Sequence, residues 1–367
     1  MKNGRNARNG WIEFCRFVLA MCVVCHHSQL MPGDHGYIPF VSGYLGVEFF
    51  YILTGYFLSA SVSTDVRRPE ECSGFSEVIK RLKKIYPYFL VAWLMSFVIC
   101  HVVHGHNDSG NLLVDIVFAS PQLLFLSMFD LAGGNIGVWD YLGTSWYLSA
   151  LLFGILAVYP FMKKHKTLFS STIAPITALI IYGAIFFSHR SFGVVNERVA
   201  FFSLGNLRAV AGLSLGSFCQ YIVQRLPECE LSKNGKLLFS IGQLLVFAAI
   251  LLLLNETHSM YSVILLMLFC ALIIFSFAGN TYLNAFFSHS LFSILGRFSM
   301  IIFITQSIAY MYPWLPYPAE WNWRFLAMLG YVIMLSIANA GIVGFLRLMF
   351  RTFKPARLWQ KEDGAEG

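Results

Sequence analysis

The sequence predicts an all-α fold, a polytopic bundle of about ten transmembrane helices. Hydrophobic residues make up 57% of the 367-residue chain and charged residues 12%, whereas a soluble domain carries about a quarter charged residues. The apolar residues also collect in runs, and about 20 consecutive apolar residues are enough to cross a bilayer. The predicted spans are, approximately, 11–31, 43–61, 86–103, 145–162, 170–188, 203–223, 237–254, 260–278, 292–312 and 325–346.

The placement of lysine and arginine predicts the orientation, since cytoplasmic loops carry an excess of both. With the N-terminus inside, 20 of the 26 Lys and Arg residues fall in inner segments. The exceptions are Arg190, Arg198 and Arg324 in outer segments, and Arg16, Arg208 and Arg297 within spans. Both termini are therefore predicted to be cytoplasmic, with residues 1–346 forming one transmembrane domain in the inner (plasma) membrane and 347–367 a short charged tail. This asymmetry also accounts for the net charge of +7, which gives no indication of nucleic-acid binding.

One apolar segment, residues 112–131, is ambiguous. It is long enough to cross but is interrupted by Asp115 and Pro121. A crossing here would place Lys163, Lys164 and Lys166 outside, against the charge rule. The segment is therefore predicted to be an outer-surface or re-entrant piece.

The first two spans carry ionisable residues, which are costly in a bilayer and usually face a protein interior or an aqueous cavity. The first contains Glu13, Arg16, His26 and His27, and the second contains Glu48. On a helix, Arg16 and His27 lie about 20° apart in rotation and about 16 Å apart along the axis, whereas His26 is rotated about 80° away. Glu13 can pair with Arg16 three residues later. We expect Glu48, early in a helix of opposite direction, to lie near the depth of His27.

Four short motifs give these residues a context. They are Arg16 and His27 with ten residues between them, GVEFF at 46–50 with Thr54-Gly55-Tyr56 after it, Arg81-x-x-Lys84 before Tyr86-Pro87, and Trp146-Tyr147-Leu148-Ser149. In these motifs the chain resembles the membrane acyltransferase-3 family, integral-membrane O-acyltransferases that modify bacterial surface glycans. One position departs from the family pattern, since Gln306 stands where many members have a histidine.

The resemblance implies transfer of an acyl group, most commonly acetyl, from cytoplasmic acyl-CoA to a hydroxyl of an extracytoplasmic or lipid-linked glycan. His27 would act as general base, with Glu48 orienting it and Arg16 on the same face. The predicted donor-binding residues are Arg81, Lys84, Arg297 and Arg16, and the predicted acceptor-binding residues are Trp146, Arg208 and Gln306. Acyl-CoA, the glycan and membrane lipids are the expected partners. Neither a permanently bound cofactor nor a metal is expected.

Several alternatives remain open from the sequence alone. The positive-inside rule by itself would produce the basic cluster around Arg81, Trp146 fits an interfacial aromatic, and Arg208 fits a structural pair with an acidic residue. Intramembrane charges also occur in transporters and flippases, the competing class of function. A further cluster, His101, His104, His106 and Asp108, contains possible metal ligands but fits a solvated outer loop better.

Overall fold

The structure is a computed structural model and describes residues 9–31, 36–65, 73–103, 111–129, 141–199, 201–226, 231–311, 317–318 and 320–352. This part of the chain is almost entirely helical, which confirms the all-α prediction. The helices are α1 Gly10–His27, α2 Gly46–Thr64, α3 Gly74–Val98, α4 Leu112–Leu123, α5 Ser145–Lys164, α6 Lys166–Leu168, α7 Ala174–His189, α8 Leu204–Arg225, α9 Lys233–Leu253, α10 Met260–Phe277, α11 Tyr282–Phe286, α12 Ser290–Met311 and α13 Trp321–Thr352. Two two-residue strands, β1 Arg198–Val199 and β2 Phe202–Ser203, pair antiparallel before α8.

Nine helical segments of the described chain are long and apolar enough to cross a membrane. They are Gly10–Leu30, Gly43–Thr64, Gly74–His101, Ser145–Lys164, Lys166–His189, Lys233–Leu253, Met260–Phe277, Ser290–Tyr310 and Trp321–Phe350. The one predicted span that is missing from these nine, 203–223, corresponds to α8, which is 22 residues long but more polar than the others. The architecture is that of a polytopic membrane helix bundle.

The polarity of α8 follows from its central position. It packs against α2, α5, α7 and α10, and its polar residues Asn206, Ser214 and Ser217 are completely buried. Gly216 lies against the backbone of α2 at Ile52, where a Cβ atom would collide. Because neighbouring helices cover α8, protein rather than lipid surrounds its polar side chains, and a low hydropathy is tolerated.

Two pairs of neighbouring helices run parallel, and their directions bear on how often the chain crosses. In α1 and α12, Glu13 meets Gly296 near one end and His27 meets Gln306 near the other. In α2 and α8, Ser59 donates a hydrogen bond to Gln220 at 3.0 Å, and contacts further toward both N-termini keep the same order. Each crossing of the membrane reverses the direction of the chain. The helices α2 and α8 therefore run parallel if three helices, α3, α5 and α7, cross between them, and they would run antiparallel if α4 crossed as well.

The segment 112–131 accordingly forms a short helix rather than a span. Its helix, α4, has 12 residues, or about 18 Å, too short for a hydrocarbon core of about 30 Å. Asn111 caps it by accepting a hydrogen bond from the backbone N–H of Leu113. This length agrees with the part of the prediction that says the segment does not cross the membrane.

Two helices extend beyond the approximate spans predicted for them. The third span was expected to begin at residue 86, but α3 begins at Gly74, capped by Ser73, and continues through Pro87. The basic residues Lys80–Lys84 therefore lie within this helix. Their charges are tolerated there because long cationic side chains can reach water while their stems cover apolar surface. The last helix likewise continues past residue 346 to Thr352, into the segment predicted to be the tail.

Reporter fusions test the topology. Fusions after Arg67 and after Lys164 should report cytoplasm, and fusions near Asp108 and Glu256 should report the outside. The structure supports a shared side for the first two, because Lys163 Nζ lies 3.3 Å from the Asp65 carboxylate. If the fusions near Asp108 and after Lys164 report the same compartment, residues 112–131 cross and the ten-span topology is wrong.

Candidate active site

One end of the site lies on the first helix at Arg16. Its guanidinium pairs with the Glu13 carboxylate at 2.7 Å, as the spacing predicts, and about a quarter of the side chain stays exposed. Gly296 of α12 packs directly onto that carboxylate, and a Cβ atom there would collide with it. Arg297, the next residue, is exposed and makes no ion pair within the described part of the chain.

The predicted donor cluster on α3 approaches the same region. Glu77 pairs with both Lys80, at 3.2 Å, and Arg81, at 3.5 Å. Lys84 lies exposed on the next turn. The buried Tyr147 of α5 interacts electrostatically with both Arg16 and Arg81, so these two cations lie in the neighbourhood of one side chain.

At the other end of the first helix, His27 is held by Gln306. The His27 Nδ1 atom lies 3.2 Å from Gln306 Oε1, and the Gln306 amide nitrogen donates to the Phe303 carbonyl at 3.2 Å. The second bond fixes the orientation of the amide, so that its oxygen faces the imidazole. Since that oxygen can only accept, Nδ1 carries the proton and Nε2 keeps its lone pair.

The surroundings of His27 complete this arrangement. The ring stacks on Tyr310 with centroids 5.1 Å apart, and Gln306 is completely buried. Nε2 makes no hydrogen bond to any described residue. The neutral imidazole is therefore oriented on one edge and free to accept a proton on the other.

The adjacent His26 is engaged on both ring nitrogens. Its Nδ1 lies 2.6 Å from the Val41 carbonyl oxygen, and its Nε2 lies 2.9 Å from the amide nitrogen of Gln29. The ring also packs on Tyr44. His26 thus anchors the segment that leads into α2.

Glu48 does not occupy the place expected for it. Gly46, two residues earlier, contacts Leu19 and Val23 of α1. That level is about 6 to 12 Å along the helix axis from His27, toward Arg16. The expectation that Glu48 lies at the depth of His27 and orients it is therefore corrected, and Gln306 takes that role. The physical reason is that α1 extends about one to two turns beyond its crossing with the start of α2.

The partners of Glu48 are Arg208 and Tyr182. Arg208 Nε and Nη2 both lie 2.6 Å from Glu48 Oε1, and the Tyr182 hydroxyl donates to Oε2. Both charged side chains are at most 1% exposed. The Arg208 guanidinium also lies 5.6 Å from the Trp146 ring centroid. Arg208 was predicted to bind the acceptor, but this geometry matches the alternative of a structural ion pair.

Three functional candidates escaped the sequence reasoning. Tyr147 lay inside a quoted motif but received no role, and Tyr182 has no local signal at all. His101 was considered as a metal ligand, yet its Nε2 lies 3.2 Å from the buried carboxylate of Asp115, the residue noticed only as an interruption of an apolar run. His104, His106 and Asp108 lie outside the described residues.

The arrangement is that of a polytopic membrane protein in which one helix, α1, has an oriented histidine at one end and Arg16 toward the other. Comparison with known proteins is consistent with this. The sequence model of the acyltransferase domain family, acyltransferase-3, matches residues 9–343, so the chain belongs to that family and is a multi-pass membrane acyltransferase. It is also 22% identical over 246 residues, 64% of this chain and 99% of the relative, to an uncharacterized protein of Haemophilus influenzae. No solved structure shows significant similarity.

Proposed function

We propose that the protein is an O-acyltransferase of the plasma membrane, which moves an acetyl group from cytoplasmic acetyl-CoA to a hydroxyl of an extracytoplasmic or lipid-linked glycan. The observation that carries the proposal is the tautomer of His27. The hydrogen bond from Nδ1 to Gln306 leaves Nε2 as a free base, on the same helix face as Arg16. This face joins a region suited to an anionic donor to a region suited to proton transfer.

The chemistry at His27 follows from that orientation. Nε2 removes the proton of the acceptor hydroxyl as its oxygen attacks the thioester carbonyl. When the carbon–sulfur bond of the tetrahedral intermediate breaks, the imidazolium returns the proton to the departing thiolate of coenzyme A. Gln306 holds the ring throughout. As a neutral amide it stabilises the imidazolium less than a carboxylate would, but it selects the same tautomer.

The donor would bind through its phosphates at the arginines. Guanidinium groups bind phosphate oxygens in a bidentate manner, and Arg16 and Arg81 both interact electrostatically with Tyr147. Arg297 and Lys84, both exposed, would add positive charge at the mouth. The separation of Arg16 and His27, about 16 Å along the helix, suits an extended pantetheine arm.

A continuous series of aromatic contacts connects the arginines proposed to bind the donor with His27. Tyr147 packs edge-on against Phe303 with centroids 4.8 Å apart, and Phe303 accepts the hydrogen bond from Gln306. Tyr147 also stacks on Tyr51. The donor arm would pass along these aromatic side chains, with Trp146 beside them, before its thioester meets His27.

Mass spectrometry of surface glycans tests the proposed reaction. Glycans from cells that lack the gene should lose one acetyl mass per modified sugar, and complementation should restore it. The alternative, a transporter or flippase, predicts loss or accumulation of whole glycans without a change in acetylation. That result would contradict the proposal.

The donor site predicts a second measurement. Arg81→Ala should weaken acetyl-CoA binding by about tenfold or more, because one charge-assisted hydrogen bond contributes about 1.5–3 kcal/mol. Lys84→Ala should weaken it less, and Lys84→Arg should be tolerated. Thermal stabilisation of the purified protein by coenzyme A measures the effect. If coenzyme A stabilises wild type and Arg81→Ala equally, the basic cluster does not bind the donor and is explained by the positive-inside rule alone.

A further inference from the structure

A polar pocket lies away from His27 and its arginines, between residues 166–170, which comprise α6 and the turn after it, and the end of α8. Its volume is about 350 Å³. Two cationic side chains line it, Lys166 and Arg225, and the rest of its lining is mostly polar. It lies at the end of the bundle that the charge distribution predicts to be cytoplasmic. The proposed acyl transfer makes no use of it.

The positive charge in this pocket is not neutralised by the protein. Neither Lys166 nor Arg225 makes an ion pair within the described ranges of the chain. Arg225 lies over the ring of Tyr221, 4.4 Å from its centroid, a contact that leaves its N–H groups available. Lys163, by contrast, pairs with Asp65 at 3.3 Å. The pocket therefore presents two cations without a carboxylate.

The inner wall supplies an oriented hydrogen-bond donor. Gln220 is only 4% exposed, and its Oε1 accepts a hydrogen bond from Ser59 at 3.0 Å. Its amide nitrogen is thereby turned away from Ser59 and has no partner among the described residues. Ser170 also lines the pocket and is bonded to Ser217 at 2.8 Å, so the polar wall is held in place by buried contacts between helices.

We infer that this pocket binds a phosphate group. Two cations and an unpaired amide donor around one cavity match a tetrahedral oxyanion, because cationic donors make the strongest hydrogen bonds to phosphate oxygens. The headgroup of an anionic phospholipid and a soluble phosphate compound share this chemistry. A buried donor with a fixed orientation distinguishes the pocket from lysines placed only by the positive-inside rule, which lie on open surface.

Binding of three probes to the purified full-length protein in a neutral detergent tests the inference. The probes are dioctanoylphosphatidylglycerol, dioctanoylglycerol, which has the same chains without phosphate, and inorganic phosphate. We expect the double variant K166Q/R225Q to bind the phospholipid at least about tenfold more weakly than wild type, since it loses two charge-assisted contacts. Dioctanoylglycerol should not bind this pocket in either protein.

Two further variants complete the test. K164Q/K233Q removes the same charge from exposed positions outside the pocket and should bind as wild type does. Thr167→Glu places a carboxylate at the exposed mouth and should abolish binding without altering the core. If inorganic phosphate shows the same dependence on K166Q/R225Q, the site takes a soluble phosphate. Equal affinity of wild type, K166Q/R225Q and Thr167→Glu for both phosphate probes would overturn the inference.

Discussion

Replacing His27 with alanine should abolish glycan acylation while the protein remains folded and inserted. His27 is the residue whose free ring nitrogen is proposed to take the acceptor proton, and loss of a general base costs about 10² to 10⁴ in rate. The ring is half-buried and makes one side-chain hydrogen bond, so its removal should leave the bundle intact. The measurement is acetylation of surface glycans, normalised to the amount of protein in the membrane.

His26→Ala is the matched control for this prediction. Both of its ring nitrogens are bonded, to Val41 and to Gln29, so its loss should loosen the segment before α2 but leave substantial activity. Gln306→Leu should lower activity less than His27→Ala does, because the base remains but its tautomer is no longer selected. An inactive His26→Ala beside an active His27→Ala would show that the catalytic assignment is wrong.

Relations within a single helix could be predicted from the sequence. The pairing of Glu13 with Arg16 and the different surroundings of His26 and His27 follow from helical periodicity, which fixes rotation and rise. The charge rule likewise predicted that 112–131 does not cross, and the parallel packing of α2 against α8 agrees with it. These inferences needed no knowledge of neighbouring helices.

Relations between helices could not be predicted in the same way. The depth of Glu48 depends on where α2 crosses α1, and the sequence of either helix leaves that point open. The hydrogen bond between His27 and Gln306 joins residues 279 positions apart. For the same reason Gln306 was interpreted as a missing histidine and as an acceptor-binding residue, whereas its amide oxygen orients the His27 ring.

The ion pair of Glu48 and Arg208 gives the largest expected effect on stability. Both side chains are buried almost completely. Removing one partner of such a pair leaves an uncompensated buried charge and typically costs about 3–5 kcal/mol. Glu48→Gln and Arg208→Gln should therefore each lower the unfolding temperature and the amount of inserted protein strongly. Thermal unfolding of the purified protein in detergent, followed by size-exclusion chromatography, measures this.

The double variant E48Q/R208Q separates a structural role from a catalytic one. With both charges removed, two amides remain that can hydrogen-bond to each other and to Tyr182, so the double variant should be more stable than either single variant, a non-additive result. Tyr182→Phe, which removes only one hydrogen bond to Glu48, should cost about 1 kcal/mol. If Glu48 instead served the chemistry at His27, Glu48→Gln would unfold at the wild-type temperature yet lose activity, and adding Arg208→Gln would restore nothing. The Glu48 carboxylate contacts Arg208 and Tyr182, and it lies nearer than His27 to the Arg16 end of α1. We therefore expect Glu48→Gln to lower stability, with activity falling in proportion to the amount of folded protein.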